Sequence, residues 1–164
     1  MEKTIYIAGG CFWGVQGYFD RLKGVNKTVV GYANGNIKDP TYQQVKSHVA
    51  THAETVKIDY EDNIISLEKL LQHFLRFVDP YSLNKQKEDE GIQYRSGVYY
   101  IDEADKKVIL DFFISCENGD KFVIEVLPLA NFYKAEEYHQ DYLIKNPLGY
   151  CHVNFNLIND DEKK

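Results

Sequence analysis

The sequence predicts an α+β protein: a two-layer sandwich with a ferredoxin-like βαββαβ core, a mixed but mostly antiparallel sheet and an irregular C-terminal tail. Two observations lead there. Short strand-like runs alternate with longer stretches whose apolar residues recur every three or four positions. The boundaries between them carry glycine, proline, or a capping serine or aspartate. With that element order, two helices cover one face of the sheet.

"KTIYIA" (3–8) is a short apolar strand that stops at Gly9-Gly10. From Phe12, residues Val15, Tyr18, Phe19 and Leu22 keep helical spacing, with Gly24 as the expected C-cap. "VNKTVVGYA" (25–33) and "HAETVKIDY" (52–60) read as strands. Ser66 caps a helix whose apolar face is Leu67, Leu70, Leu71, Phe74 and Val78, and Asp79-Pro80 ends it. "YRSGVYYI" (94–101) is a strand, and Asp102 caps a helix with Ala104, Val108, Leu110 and Phe112 inward. "KFVIEVL" (121–127) is a strand stopped by Pro128, and "KAEEYHQDYLIK" (134–145) a last helix ended by Asn146-Pro147. The final "NDDEKK" reads as a solvated end.

The 164 residues suit one catalytic domain, with a core over about 3–145 and a tail over 146–164. A chain of this length buries enough surface to fold without a disulfide or a metal. The net charge of −6 argues against a nucleic-acid backbone as the main partner. No apolar run approaches a membrane span and the N-terminus lacks a secretory apolar segment, so a cytoplasmic protein is expected. In a reducing compartment, the three cysteines Cys11, Cys116 and Cys151 are of chemical interest rather than a disulfide framework.

The informative stretch is "GGCFWG" (9–14), a thiol where a strand turns into a helix. Unpaired amides and the dipole at a helix start favour a thiolate, the nucleophilic form. Gly9 and Gly10 allow the turn and leave room for a substrate, and Phe12 and Trp13 wall an apolar pocket beside the sulfur. The competing reading is a small hydrophobe in a core turn. The pattern is neither a C-x-x-C dithiol nor a dinucleotide loop. No metal site is expected: Cys151-His152 lack partners at ligand spacing, and His48 and His52 read as surface or loop residues. By spacing alone Glu54 is a surface strand residue, and most of the thirteen tyrosines are structural.

Gly10 to Gly14 after a short strand resembles the signature of the A-type peptide-methionine (S)-S-oxide reductases. Six further blocks resemble that family in family order: "GYANG" (31–35), "PTYQQV" (40–45), "HAETV" (52–56), "DEGIQYRSGVYY" (89–100), "AEEYHQDYL" (135–143) and "KNPLGYC" (145–151). The resemblance implies reduction of methionine S-sulfoxide, free or in proteins. Cys11 then matches the catalytic cysteine, and Phe12 and Trp13 the residues that hold the substrate methyl. Glu54 matches the proton-donating carboxyl. Tyr42 and Tyr94 match two tyrosines that reach the sulfoxide oxygen, Asp89 and Tyr150 further substrate-binding residues, and Cys151 the resolving cysteine. A sulfenic acid on Cys11 would condense with Cys151, and thioredoxin or dithiothreitol would reduce the disulfide. No cofactor, nucleic acid or membrane is implied, and a monomer is expected.

Two departures stand out. The family often has a cysteine and glycines between "PTY" and "HAE", where this chain has "QQVKSHVAT". Many members carry a further tail cysteine; none follows Cys151 here, which implies a single resolving step. Cys116 matches no functional position. Peroxidase-like use of Cys11 is the alternative chemistry, disfavoured because peroxide needs no apolar pocket. A non-catalytic binder of methionine or its sulfoxide is the alternative from another class.

Overall fold

A computed structural model describes residues 1–164. The strands are β1 (Glu2–Ala8), β2 (Val25–Ala33), β3 (Ala53–Glu61), the short pair β4 (Lys85–Gln86) and β5 (Asp89–Glu90), β6 (Gly97–Tyr100), β7 (Glu125–Pro128) and β8 (Phe132–Lys134). The helices are α1 (Phe12–Asp20), α2 (Tyr42–Lys46), α3 (Leu67–Phe77), α4 (Glu103–Ser115) and α5 (Tyr142–Lys145).

One six-stranded sheet runs in the order β7-β6-β1-β3-β2-β8, and only the β6–β7 pair is parallel. Its middle four strands, β6-β1-β3-β2, are the antiparallel core of the βαββαβ fold expected from the sequence. Strand alternation puts Ile5 and Ile7, Val30 and Tyr32, and Val56, Ile58 and Tyr60 in one core with α1, α3 and α4. The opposite face carries a smaller cluster of Tyr6, Ala8, Ala33, Ala53 and Tyr99, packed by Leu129 and Phe132. No helix is long and apolar enough to cross a membrane.

Capping follows the sequence. Ser66 Oγ accepts the Lys69 N–H, Asp102 accepts the Ala104 N–H, and Thr41 and Gln44 form a reciprocal capping box on α2, which the sequence reading left out. Four local expectations need correction. Gly24 is not the cap of α1: Arg21 takes that place, and Gly24 turns with φ of +94° against Ile65. On α4 the buried residues are Asp105, Ile109 and Phe113, while Ala104 and Leu110 are exposed. The rotation brings Asp105 to Lys3 Nζ at 3.0 Å, so a long-range ion pair helps set the helix face. The stretch 134–145 is not one helix. It is β8's end, a 3₁₀ turn at Glu137–His139 and α5, broken at Asp141 with φ of +53°. The break lets the buried Gln140 side chain bond both the N–H and C=O of Val30, while Gln16 Oε1 accepts the Asp141 N–H.

The fourth correction concerns the tail, which is docked rather than solvated. Glu162 accepts both guanidinium nitrogens of Arg76 at 2.7 and 2.9 Å and lies 3.0 Å from Lys69 Nζ. Its backbone accepts the Lys23 N–H, and the Lys164 N–H reaches the Arg21 carbonyl. The hydrogen bonds from Arg76, helped by Lys69, hold the Glu162 carboxyl well below the usual carboxylate range despite some opposing burial. A lowered carboxyl pKa stabilises the fold fully above its unfolded value of about 4.3, and this contribution is lost progressively as pH falls from there through the folded value. Glu162→Gln is therefore expected to cost roughly 2 kcal/mol at neutral pH. That is about 4–8 °C in Tm for a chain of this size. Melting curves from pH 7 to pH 3 should show the gap between the two proteins narrowing below about pH 4; a constant gap would contradict the pairing.

Candidate active site

Cys11 is the N-cap residue of α1. The chain leaves β1, passes through Gly9 and Gly10, the latter at φ of +90°, and enters the helix at Phe12. A β-carbon on Gly10 would lie 2.8 Å from His152 Nε2 and 2.9 Å from Gln86 Cβ. One on Gly14 would lie 3.1 Å from Cys151 Sγ. The sequence reading assigned glycine space here to a substrate. In the structure the space at Gly9 is filled by Phe74 and that at Gly10 by the tail and the β4 segment, while the tail also covers Gly14. The buried His152 ring sits 2.9 Å from the Gly9 carbonyl through Nε2, and Cys151 packs along α1's first turn. The two cysteines of the expected redox pair therefore share one end of one helix, both as free thiols.

Glu54 comes from the edge of the core. Alternation along β3 gives it the same face as Val56 and Ile58, and it pairs across the sheet with Tyr32. It is 2% exposed, so spacing alone misjudged it as a surface residue. Its Oε1 accepts the Phe12 N–H at 3.2 Å, an otherwise unpaired amide of the helix start. Burial pushes its pKa up to about 8, with Asp89's charge adding and the Phe12 amide opposing. The carboxyl is thus protonated at neutral pH.

The two aromatics after Cys11 have different environments. Phe12 is buried against Tyr32 and His139, with ring centroids 5.7 and 5.2 Å away. Trp13 is half-buried, stacked on Tyr142 at 3.7 Å, and its indole N–H donates to His139 Nδ1 at 3.0 Å. His139 also packs on Tyr42 at 4.7 Å. Glu136 locks this corner: one carboxylate oxygen accepts the Tyr32 hydroxyl, the other the Tyr42 N–H.

The remaining expected residues converge on the same place. Tyr42 and Tyr94 both have hydroxyl pKa values raised by burial and then by the Glu54 charge, with Cys11 and Asp89 contributing to each. Neither hydroxyl hydrogen-bonds within the protein, so both are free to meet a ligand oxygen. Asp89, on β5, accepts the Tyr150 hydroxyl at 2.9 Å, a contact that ties the tail to the β4–β5 hairpin. Cys116 ends α4 with its sulfur on the Phe112 carbonyl and stands apart from the cluster.

The acidity of Cys11 runs against the sequence expectation. Cys11 is 7% exposed, and burial pushes its thiol well above the usual range. The charge of Glu54 adds to this, the Trp13 amide opposes it, and Asp89 and Cys151 add further. The helix start is present as foreseen, but Phe12's amide serves Glu54 rather than the sulfur, and burial opposes ionisation of the thiol. His52 also departs from expectation. It is fully buried, with neither ring nitrogen hydrogen-bonded to the protein. Sequence reasoning assigned no role to Tyr32, Glu136, His139, Tyr142 or His152. The available signals were the "AEEYHQDYL" block and the adjacency of His152 to Cys151.

Gly10→Ala tests the packing of the tail on the turn. The positive φ costs a side chain about 1–2 kcal/mol before any clash. The added carbon would also press on His152. The variant should melt several degrees lower, and Cys151 should be alkylated faster in the folded protein. Unchanged alkylation would mean that the tail does not rest on this turn.

Known proteins resemble this chain over nearly its whole length. The sequence model of the family described as peptide methionine sulfoxide reductase matches residues 3–164. A peptide methionine sulfoxide reductase MsrA from Ureaplasma urealyticum serovar 10 is 54% identical over 159 residues, covering 96% of each chain. The reduced form of Mxr1 from Saccharomyces cerevisiae superposes with a TM-score of 0.85 at 36% identity, over 93% of this chain and 91% of that one. Mxr1 in complex with Trx2 gives a TM-score of 0.59 at 28% identity, over 86% and 84% of the two chains. With a family match across nearly its whole length and a fold shared with a solved relative, the chain belongs to the peptide methionine sulfoxide reductase family.

Proposed function

We propose that the chain, acting as one catalytic unit in a reducing cytoplasmic compartment, reduces methionine S-sulfoxide, free or in proteins. Cys11 is the nucleophile, Glu54 the proton donor, Cys151 the resolving thiol, and thioredoxin the external reductant. The single observation that carries this reading is the capping thiol of α1 placed beside a buried carboxyl that accepts the amide of the next residue.

A sulfoxide sulfur bears a methyl, an oxygen, the rest of the substrate and a lone pair. Trp13, with Phe12 behind it, receives the methyl. Glu54, Tyr42 and Tyr94 converge on the oxygen, and Asp89 with Tyr150 borders the remainder. Holding methyl and oxygen while Cys11 attacks from a third direction leaves one way out for the chain, so one epimer fits. The family resemblance identifies it as S.

As the Cys11 sulfur bonds to the substrate sulfur, Glu54 delivers its proton to the oxygen and takes up the thiol proton, so the carboxyl ends the step neutral as it began. The oxygen then passes to Cys11 as a hydroxyl. Methionine leaves reduced by two electrons, and Cys11 is left as a sulfenic acid. Cys151 attacks that sulfur, expelling water and forming the Cys11–Cys151 disulfide. A dithiol reductant then opens it by exchange. The Trx2 complex of the yeast relative supports a thioredoxin in that role. The high pKa of Cys11 is compatible with this scheme, because proton donation to the oxygen draws the thiol proton out during attack rather than before it.

Supplying each sulfoxide epimer with dithiothreitol tests the reaction. Only the S epimer should be consumed; equal use of both would overturn the assignment. Cys151→Ser should release one methionine per chain in a single turnover and then stall with thioredoxin. A stall in Cys116→Ser instead would move the resolving role there.

The pH profile depends on Glu54. A donor must hold its proton, so activity should fall as pH rises through about 8. Glu54→Gln keeps the shape but loses the proton. It should lower kcat/KM by roughly 10²–10⁴-fold and remove that alkaline limb. A limb that survives in Glu54→Gln would assign it to another group.

A further inference from the structure

His152 follows Cys151 in the chain and is buried against the turn between β1 and α1. Its Nε2 lies 2.9 Å from the Gly9 carbonyl oxygen. A carbonyl only accepts, so Nε2 carries the ring proton and Nδ1 presents a bare lone pair. That nitrogen is buried, and no donor of the protein reaches it. Buried polar atoms are nearly always paired, so an unpaired acceptor at this place calls for a use. Burial holds the ring below the usual histidine range, with Lys87 adding and the Gly9 carbonyl and Asp89 opposing.

A thiol and a carboxylate flank that atom. A β-carbon on Gly14 would lie 3.4 Å from Nδ1 and 3.1 Å from Cys151 Sγ, so base and thiol border one spot on the first turn of α1. Asp89 Oδ2 stands 4.0 Å from Nδ1, where it faces the ring once the ring gains a proton. The thiol needs such a partner. The thiolate is the attacking form, and burial pushes the Cys151 thiol above its usual range, against the Val153 hydrogen bond, Arg21 and Lys87. At rest the thiol donates to the Val153 carbonyl at 3.2 Å, an acceptor that cannot keep a proton. Nearby Glu54 already holds its own proton, and Asp89 takes the Tyr150 hydroxyl.

Building on the reductase reading above, we propose that His152 Nδ1 is the base of the resolving step, accepting the Cys151 proton as that sulfur attacks the sulfenic acid of Cys11. The Cys151 electron pair forms the S–S bond, the Cys11 S–O bond breaks, and the hydroxyl leaves with the Glu54 proton as water. Asp89 faces the imidazolium meanwhile. His152 then gives a proton to solvent and Glu54 takes one back, so the step releases water and no net proton.

The interval between methionine release and disulfide formation in a single turnover tests this, read by trapping sulfenic acid and counting free thiols after quenching. His152→Gln keeps an N–H for the Gly9 carbonyl but offers no base, and its melting temperature checks that the tail still docks. Wild-type disulfide formation should be nearly independent of pH from about 6.5 to about 8, because a neutral imidazole serves throughout. In His152→Gln it should be slower by roughly 10²-fold at neutral pH, and sulfenic acid should accumulate. The variant's rate should rise about tenfold per pH unit, following the thiolate fraction. A wild-type rate that itself rises in that way, or a His152→Gln rate equal to wild type, overturns the assignment while leaving the reductase reading intact. A wild-type chain that releases no methionine overturns both.

Discussion

The hydrogen bond from the Phe12 amide to the Glu54 carboxyl is the joint on which the site depends. It ties the first turn of α1 to the core-facing end of β3, so Cys11 and its acid are placed by the same two elements. The bond is weak against the penalty of burying a charge, and this imbalance sets the chemistry. One amide does not offset the desolvation of a carboxylate that is 2% exposed, so Glu54 keeps its proton to about pH 8. The same burial raises the thiol. The resting site is therefore electrically quiet, and reactivity awaits a ligand that can take the proton.

Around that joint the tail acts as a wall. His152 rests on the Gly9 carbonyl, Cys151 on Gly14, and Tyr150 on Asp89. Further along, Glu162 is held by Arg76 and Lys69 of α3, so the segment with Cys151 is anchored beyond its reactive residue as well. A loop fastened at both ends would need only local rearrangement to form the proposed Cys11–Cys151 disulfide, and loop-closure entropy would cost little. The missing second tail cysteine fits this arrangement, because the residues after Cys151 are committed to docking.

Much of the fold was legible. β1, α1, β2, β3, α3 and β6 were readable from apolar periodicity, and the caps at Ser66 and Asp102 marked helix starts within a residue. The failures share a cause. The face of α4 is set in part by Asp105 meeting Lys3, a partner 102 residues away. The helix expected over 134–145 breaks because Gln140 and His139 bond to β2 and Trp13, and these contacts outweigh local helical preference. β8 and the docked tail likewise exist only through partners distant in sequence.

The site divides in the same way. By itself the sequence singled out the candidate residues: a thiol at a strand-to-helix turn, two aromatics after it, and ordered blocks pointing to Glu54, the tyrosines, Asp89 and Cys151. Those are local facts of residue type and order. Only the tertiary structure decided the protonation states and the spacing. A pKa depends on how much water and which charges surround a group, and no local pattern records that Cys11, Glu54 and the tail are buried together. For the same reason, space the sequence assigned to a substrate, at Gly9 and Gly10, belongs to Phe74, His152 and Gln86.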